Sequence, residues 1–227
     1  MRSRLALVAL LLFSRVAAQE RLGFDPSLPN QQFNFDQWSG ENGLVSNNLT
    51  SVLHSRTGFL WMTTYNGLMR FDGKRLEVFD RSTHPFFHTD AFYRAYEDSQ
   101  GTIWIASQGT GIVRIKNDSI TRFLPNNKLL PLSIRSIHFD TAAGVVWAGS
   151  NNSGLYTIRD TVVNQLRHPW LDDQTILSLH TDPKGKLWIA TDGGGLVTYE
   201  KGKFERITET EGLVSNAVNA VTGFDDG

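Results

Sequence analysis

The chain has 227 residues, 40% of them hydrophobic and 20% charged, which is enough apolar material for a core and excludes disorder of the whole. Against 23 Asp and Glu stand 22 Lys and Arg, so there is no basic field to attract a phosphate backbone, and nucleic acid is not an expected partner. Cysteine is absent, which removes disulfides, thiolate metal sites and cysteine nucleophiles together.

Residues 1–18 read as a signal peptide. Arg2 and Arg4 give a positive start, Leu5 to Phe13 is an apolar run too short to span a bilayer, and Val16-Ala17-Ala18 fits the small-residue cleavage rule before Gln19. Cleavage there removes Arg2, Arg4 and Arg15 and leaves a mildly acidic chain suited to a bacterial periplasm. Residues 19–34 form a lead-in.

From residue 35 a repeat of about 42 residues organises the chain. Segments starting at Gly58, Gly101, Gly144 and Gly185 align, with Trp61, Trp104, Trp147 and Trp188 at intervals of 43, 43 and 41 residues. Gly43-Leu44-Val45-Ser46-Asn47 recurs as Gly212-Leu213-Val214-Ser215-Asn216, four such periods later. The units are about 35–80, 81–124, 125–167 and 168–208, with the start of a fifth at 209–227.

Each unit has the same grammar. A first strand of about eight residues is expected at 48–55, 91–98, 133–140, 175–182 and 217–224. Its apolar residues recur three apart, as in Ile134 and Ile137, a spacing shared with a helical turn. The runs are short, turn-bounded and rich in β-branched and aromatic residues, so strand is the better reading, with a bulge absorbing the broken alternation. A Gly turn, the Trp strand, a second turn at Gly67, Gly111, Gly154 or Gly195, a third strand and a short fourth strand follow, the last ending at Phe79, Phe123, Leu166 or Ile207. Four antiparallel strands per unit make a propeller blade. The expected fold is therefore all-β: an incomplete β-propeller of four blades plus the first strand of a fifth. One such sheet cannot bury both faces alone, so the periodic Trp is expected to fill the gap between neighbouring blades.

The GLVSN element, the apolar strand, and a Gly followed by LW and a turn ending in GL resemble the repeat of the two-component regulator propeller family, which reads roughly GLxxNxVxxIxxDxxGxLWIGTxxGL. The nearest copies are Gly43 to Leu68 and Leu177 to Leu196, with Asp98, Asp140 and Asp182 before the turn of later blades. Ser55 stands where the family has Asp, and Ala148-Gly149 follows Trp147 in place of Ile-Gly. The resemblance implies a sensor: envelope receptors in which propellers precede a membrane span and a histidine kinase, hybrid regulator or diguanylate cyclase, often with carbohydrate ligands. A ring of seven such units would need about 295 residues. The chain is accordingly expected to be the amino-terminal part of a periplasmic, inner-membrane-anchored receptor, whose downstream signalling domains and a homodimer partner complete it.

No acid pair, nucleophile elbow, phosphate loop or HExxH motif stands out, so no catalytic residue, metal or cofactor is assigned. His84 and His88 flank Pro85 in a loop, and His138 and His180 share a slot of consecutive blades, which suggests repeated packing. A binding face is expected where the second-to-third strand turns place Tyr65, Asn66, Gln108, Asn151, Asn152 and Asp192 near Arg94 and Arg135 of the first strands. Aromatic, amide and guanidinium groups suit a hydroxyl-rich or anionic sugar. The leading expectation is a ligand-sensing module without catalysis of its own. An exported propeller lyase or glycosidase and a protein-interaction scaffold are the alternatives.

Overall fold

A computed structural model describes residues 36–126, 130–131 and 133–223. The signal peptide and the lead-in lie outside these residues. The first sheet joins β1 (Leu49–His54), β2 (Leu60–Thr64), β3 (Leu68–Phe71) and β4 (Leu76–Phe79); the second joins β5 (Phe92–Glu97), β6 (Ile103–Ser107), β7 (Ile112–Lys116) and β8 (Ser119–Arg122). The third joins β9 (Ile134–Asp140), β10 (Val145–Ser150), β11 (Leu155–Arg159) and β12 (Val162–Leu166); the fourth joins β13 (Ile176–Thr181), β14 (Leu187–Thr191), β15 (Leu196–Glu200) and β16 (Lys203–Ile207). Every neighbouring pair is antiparallel and the strands lie in chain order, so each repeat is one meander sheet. The eighth strand ends at Arg122, one residue short of the expected Phe123, whose N–H still bonds Ile112 O at 2.8 Å.

The core lies between the sheets. Side chains alternate across a strand, so β6 sends Ile103 and Ile105 toward the first sheet and Trp104 and Ala106 toward the third. Trp61, Leu68 and Phe79 meet Phe92, Ala95 and Ile105 in the first seam. Trp104 and Phe123 meet Ile134, Ile137 and Val146 in the second, and Trp147 and Leu155 meet Ile176, Leu179 and Leu187 in the third. The indoles are therefore wedges between blades. Trp188 is only half-buried, because no further sheet of the described residues packs beyond it.

A second contact fixes two of the four indoles. The Asp98 carboxylate accepts from Gln100 N and Thr102 N with one oxygen and from Trp104 Nε1 with the other, at 2.8, 2.9 and 2.8 Å. Asp182 does the same for Lys184 N, Lys186 N and Trp188 Nε1 at 3.0, 2.9 and 3.1 Å. One residue thus ties the first turn to the indole. In the first blade Ser55 keeps the turn but is too short for the indole, and Trp61 Nε1 is buried without a partner. In the third blade an extra residue lies between Asp140 and Trp147, and Trp147 Nε1 is likewise unpartnered.

The anticipated bulge is present in all four first strands. Leu49 and Ser51 pair with consecutive residues of β2, leaving Thr50 extra; Tyr93, Arg135 and Leu177 are extra in β5, β9 and β13. At the second turns Gly67, Gly111, Gly154 and Gly195 all have positive φ. At Gly195 a side chain is impossible on two counts, because φ is +85° and an added Cβ would lie 2.4 Å from Ile207 O.

The two GLVSN copies close the same loop. Asn47 Oδ1 accepts from Gly40 N at 2.7 Å, and Asn216 Oδ1 accepts from Glu209 N at 2.9 Å, each seven residues back. The fifth first strand differs from expectation. Ala217 forms one isolated bridge with Asp192 and Val218 N donates to Thr191 O, but residues 218–223 join no ladder. In the four complete blades the first strand is held by the Trp strand that follows it, and no such strand exists for this segment among the described residues.

Near the far end of the inner strands Tyr96, His138 and His180 occupy one slot of three blades and touch in series, with ring centroids 5.5 and 5.9 Å apart. His138 Nε2 accepts from Thr181 N at 3.1 Å, which requires the neutral ring. Burial, reinforced by the neighbouring His180 ring and Arg94 and opposed by Asp140, pushes the His138 pKa down to about 4.

Three outcomes are expected. Replacing Trp104 by Ala should lower the unfolding free energy by about 3–5 kcal/mol in urea titration, since a buried wedge is lost. Ser55→Asp should raise it by about 1 kcal/mol by giving Trp61 Nε1 an acceptor, as at Asp98. Between pH 6.5, the ordinary histidine value, and about 4, the unfolded chain binds a proton at His138 that the native chain does not. Stability should therefore fall across that window as pH drops, and His138→Gln should flatten the slope.

Candidate functional site

The four bulges determine what faces the centre. An extra residue breaks the alternation and re-aims one side chain off the sheet. Thr50, Tyr93, Arg135 and Leu177, the four bulged residues, all line one opening of about 320 Å³ between the inner strands, joined by Leu49, Arg94, Tyr65 and Asn219.

The groups in the opening are mutually ordered. Tyr65 meets the Tyr93 ring edge-on at 5.9 Å, and the Arg135 guanidinium lies over the Tyr93 ring at 4.2 Å. Tyr93 O–H donates to Gln108 Oε1 at 3.1 Å, fixing the ring on which Arg135 rests. Thr50 O–H is used within the scaffold, reaching Phe92 O at 2.7 Å and Thr63 Oγ1 at 2.8 Å. Burial without a compensating carboxylate pushes the Arg94 pKa below its ordinary value. Among the described residues neither the Arg94 nor the Arg135 guanidinium makes an ion pair or hydrogen bond; the six ion pairs all involve other side chains. No acidic residue lines the opening.

Of the eight expected binding residues, Tyr65, Arg94 and Arg135 come together in this opening. Gln108 stands behind it as the acceptor for Tyr93. Asn66, Asn151, Asn152 and Asp192 do not line it. The Asn151 and Asn152 side-chain oxygens accept from the Thr175 hydroxyl at 3.3 and 2.8 Å, which ties the third blade to the fourth. Asp192 is exposed at the bridge to Ala217. Tyr93, Thr50, Leu177 and Asn219 were not anticipated in the opening. The signal for the first three was the bulge itself, one residue into each first strand, where a Tyr reads by composition as core.

A second opening of about 380 Å³ lies by the Tyr96, His138 and His180 slot. Its carboxylates are committed: Asp140 accepts from Ala143 N and Asp182 holds its turn and Trp188. Among the described residues no three His, Asp or Glu side chains form a set that could hold a metal. His84 is packed among Phe79, Phe86 and Phe87.

Residues 171–193 match the family described as two component regulator propeller. These are the Leu171 to Gly193 stretch that carries β13, the Asp182 turn and Trp188. No curated protein matches the chain. Among solved structures the chain is similar to the extracellular domains of two putative hybrid two component systems from B. thetaiotaomicron. One is 20% identical with a TM-score of 0.65, the other 23% identical with a TM-score of 0.61; each alignment covers 77% of this chain and 24% of the other. Virginiamycin B lyase from Staphylococcus aureus is also similar, at 19% identity and a TM-score of 0.55, with 73% of this chain and 58% of that one covered. The chain thus spans about a quarter of the length of the two-component relatives. These likenesses establish a β-propeller, in which residues 171–193 match the repeat of the two component regulator propeller family.

Proposed function

We propose that this chain is a ligand-sensing propeller of an exported signal-transducing receptor, and that a polar solute, a carbohydrate or a close chemical relative, binds at the opening between the inner strands. The observation that carries the reading is the opening itself. Two tyrosines, an asparagine and two guanidiniums that form no ion pair among the described residues converge there, Tyr93 serving the packing of its seam as well. Rings offer a stacking face to a sugar, while guanidinium and amide groups donate directional hydrogen bonds. The extracellular origin of the two-component relatives supports an exported location and a role upstream of a signalling domain.

The opening does not resemble a catalytic centre. It holds no carboxylate and no histidine, so general acid–base chemistry has no proton carrier poised near neutral pH. Its lining therefore favours binding over acid–base chemistry as the reading of this opening. Binding at the inner strands would act on the seams, because ligand contacts from two blades favour one packing of those blades over another.

Thermal denaturation of the purified chain against a panel of neutral and acidic mono- and oligosaccharides tests the proposal. A true ligand at about 100 times its dissociation constant contributes about 2.7 kcal/mol, which raises the melting temperature by roughly 5–10 °C for a chain of this size. Tyr65→Ala should remove that rise. A flat response across the panel would refute the sugar reading.

A further inference from the structure

Resting on that ligand-sensing reading, we propose that the recognised ligand carries an oxyanion group, and that Arg94 and Arg135 together hold it.

The repeat supplies its own controls. Arg94 follows the bulge of β5, and the equivalent residues of the other three blades are Ser51, Ser136 and Ser178. Each serine joins its inner strand to the next blade. Ser51 Oγ accepts from Ala95 N at 3.4 Å, Ser136 O–H donates to Ile176 O at 2.7 Å, and Ser178 O–H donates to Val221 O at 3.4 Å. At Arg94 this inter-blade bond is missing, and a long cation stands where the architecture otherwise uses a small hydroxyl. Scaffold requirements do not account for the exchange, since serine serves the slot three times.

Arg135 departs in the same sense. The bulge slot holds Thr50, Tyr93, Arg135 and Leu177, so the fold accepts hydroxyl, aromatic and aliphatic side chains there. The two exceptional cations belong to adjacent blades and line one opening. A half-buried guanidinium with no counter-charge is unfavourable, and two facing the same space are more so. An oxyanion offsets both at once, because carboxylate and sulfate accept the paired N–H groups of a guanidinium in the plane of its fork. Tyr93 supports the arrangement by holding Arg135 over its ring, anchored in turn by Gln108. Tyr65, exposed at the rim and edge-on to Tyr93, is placed to cover the rest of the ligand.

Carboxylate and sulfate share this chemistry, and the test separates them. The purified chain is titrated calorimetrically and by thermal shift with sodium glucuronate, glucose 6-sulfate and neutral glucose, each at ionic strength matched with sodium chloride. Three variants accompany it: Arg94→Ser and Arg135→Leu, which install residues that other blades carry in the same slots, and Arg75→Ser at an exposed turn. The expected result is binding of glucuronate or glucose 6-sulfate but not glucose, weakened about tenfold or more by Arg94→Ser and by Arg135→Leu, and unchanged by Arg75→Ser. The tighter of the two anions identifies the group. Equal binding of glucose and the anions, or full retention of anion binding in both slot variants, overturns the proposal. If neutral sugars bind with dependence on Tyr65 while the arginine variants behave as wild type, the oxyanion assignment fails and the sensing function stands. If no sugar of either kind binds, the opening is not the site and both fall.

Discussion

The fold depends on the packing of an indole between two sheets. The second strand of each blade is apolar on both faces, as β6 shows, so no single sheet can be stable with either face in water. Stacking follows of necessity, and the Trp sets the spacing of the stack. Asp98 and Asp182 couple that wedge to the first turn, which makes turn geometry and blade packing one cooperative unit. Where the coupling is missing, at Trp61 and Trp147, the reason is local. A shorter side chain stands before one turn, and one additional residue lies within the other.

The inner strands obey a different rule. Phe92, Ile134 and Ile176, just before the bulge, are fully buried and serve the seam, whereas the bulged residues beside them are turned toward the centre. A bulge therefore separates two duties within neighbouring positions of one strand. The residue before it is set by packing, whereas the extra residue follows no single chemical type, and in the four blades it is Thr, Tyr, Arg and Leu. Variation at a repeat position normally marks a surface without structural demands. Here it falls in a half-enclosed opening, where side-chain chemistry has the most effect on a bound solute.

Much of the architecture was legible from the sequence, because repetition multiplies weak signals. No single run such as 133–140 distinguishes strand from helix, yet four copies bounded by the same glycines do. The three-residue spacing of Ile134 and Ile137 was a true reading of a bulge, not of a turn of helix. The lining of the opening was only partly legible. Arg94 and Arg135 could be placed because a charged residue inside an apolar strand is conspicuous, and Tyr65 because it begins a turn. Asn151 and Asn152 look equally suited to a ligand, but their oxygens are engaged by Thr175, a pairing across blades that no linear pattern displays. Tyr93 was hidden for the opposite reason, since it is a buried residue of its seam, as an aromatic in a strand suggests, and only the bulge shows that it also lines the opening. Residues 218–223 remain outside any ladder because a strand-like sequence becomes a strand only when a ladder partner is present.

The seam between the second and third blades unites these themes. It is packed by Trp104 and closed at its far end by the Tyr96 hydroxyl, which donates to Phe139 O. At the near end the serine bond found in the other seams is replaced by Arg94, with Arg135 standing on the neighbouring strand. An anion held by both would restore, through the ligand, the inter-blade link that this seam lacks. Affinity and seam closure would then be the same free energy seen from two sides, so the ligand could favour one blade packing only to the extent that it binds the closed seam better than the open one. Such a ligand would act at the seam where, among the described blades, the inner-strand serine bond is absent.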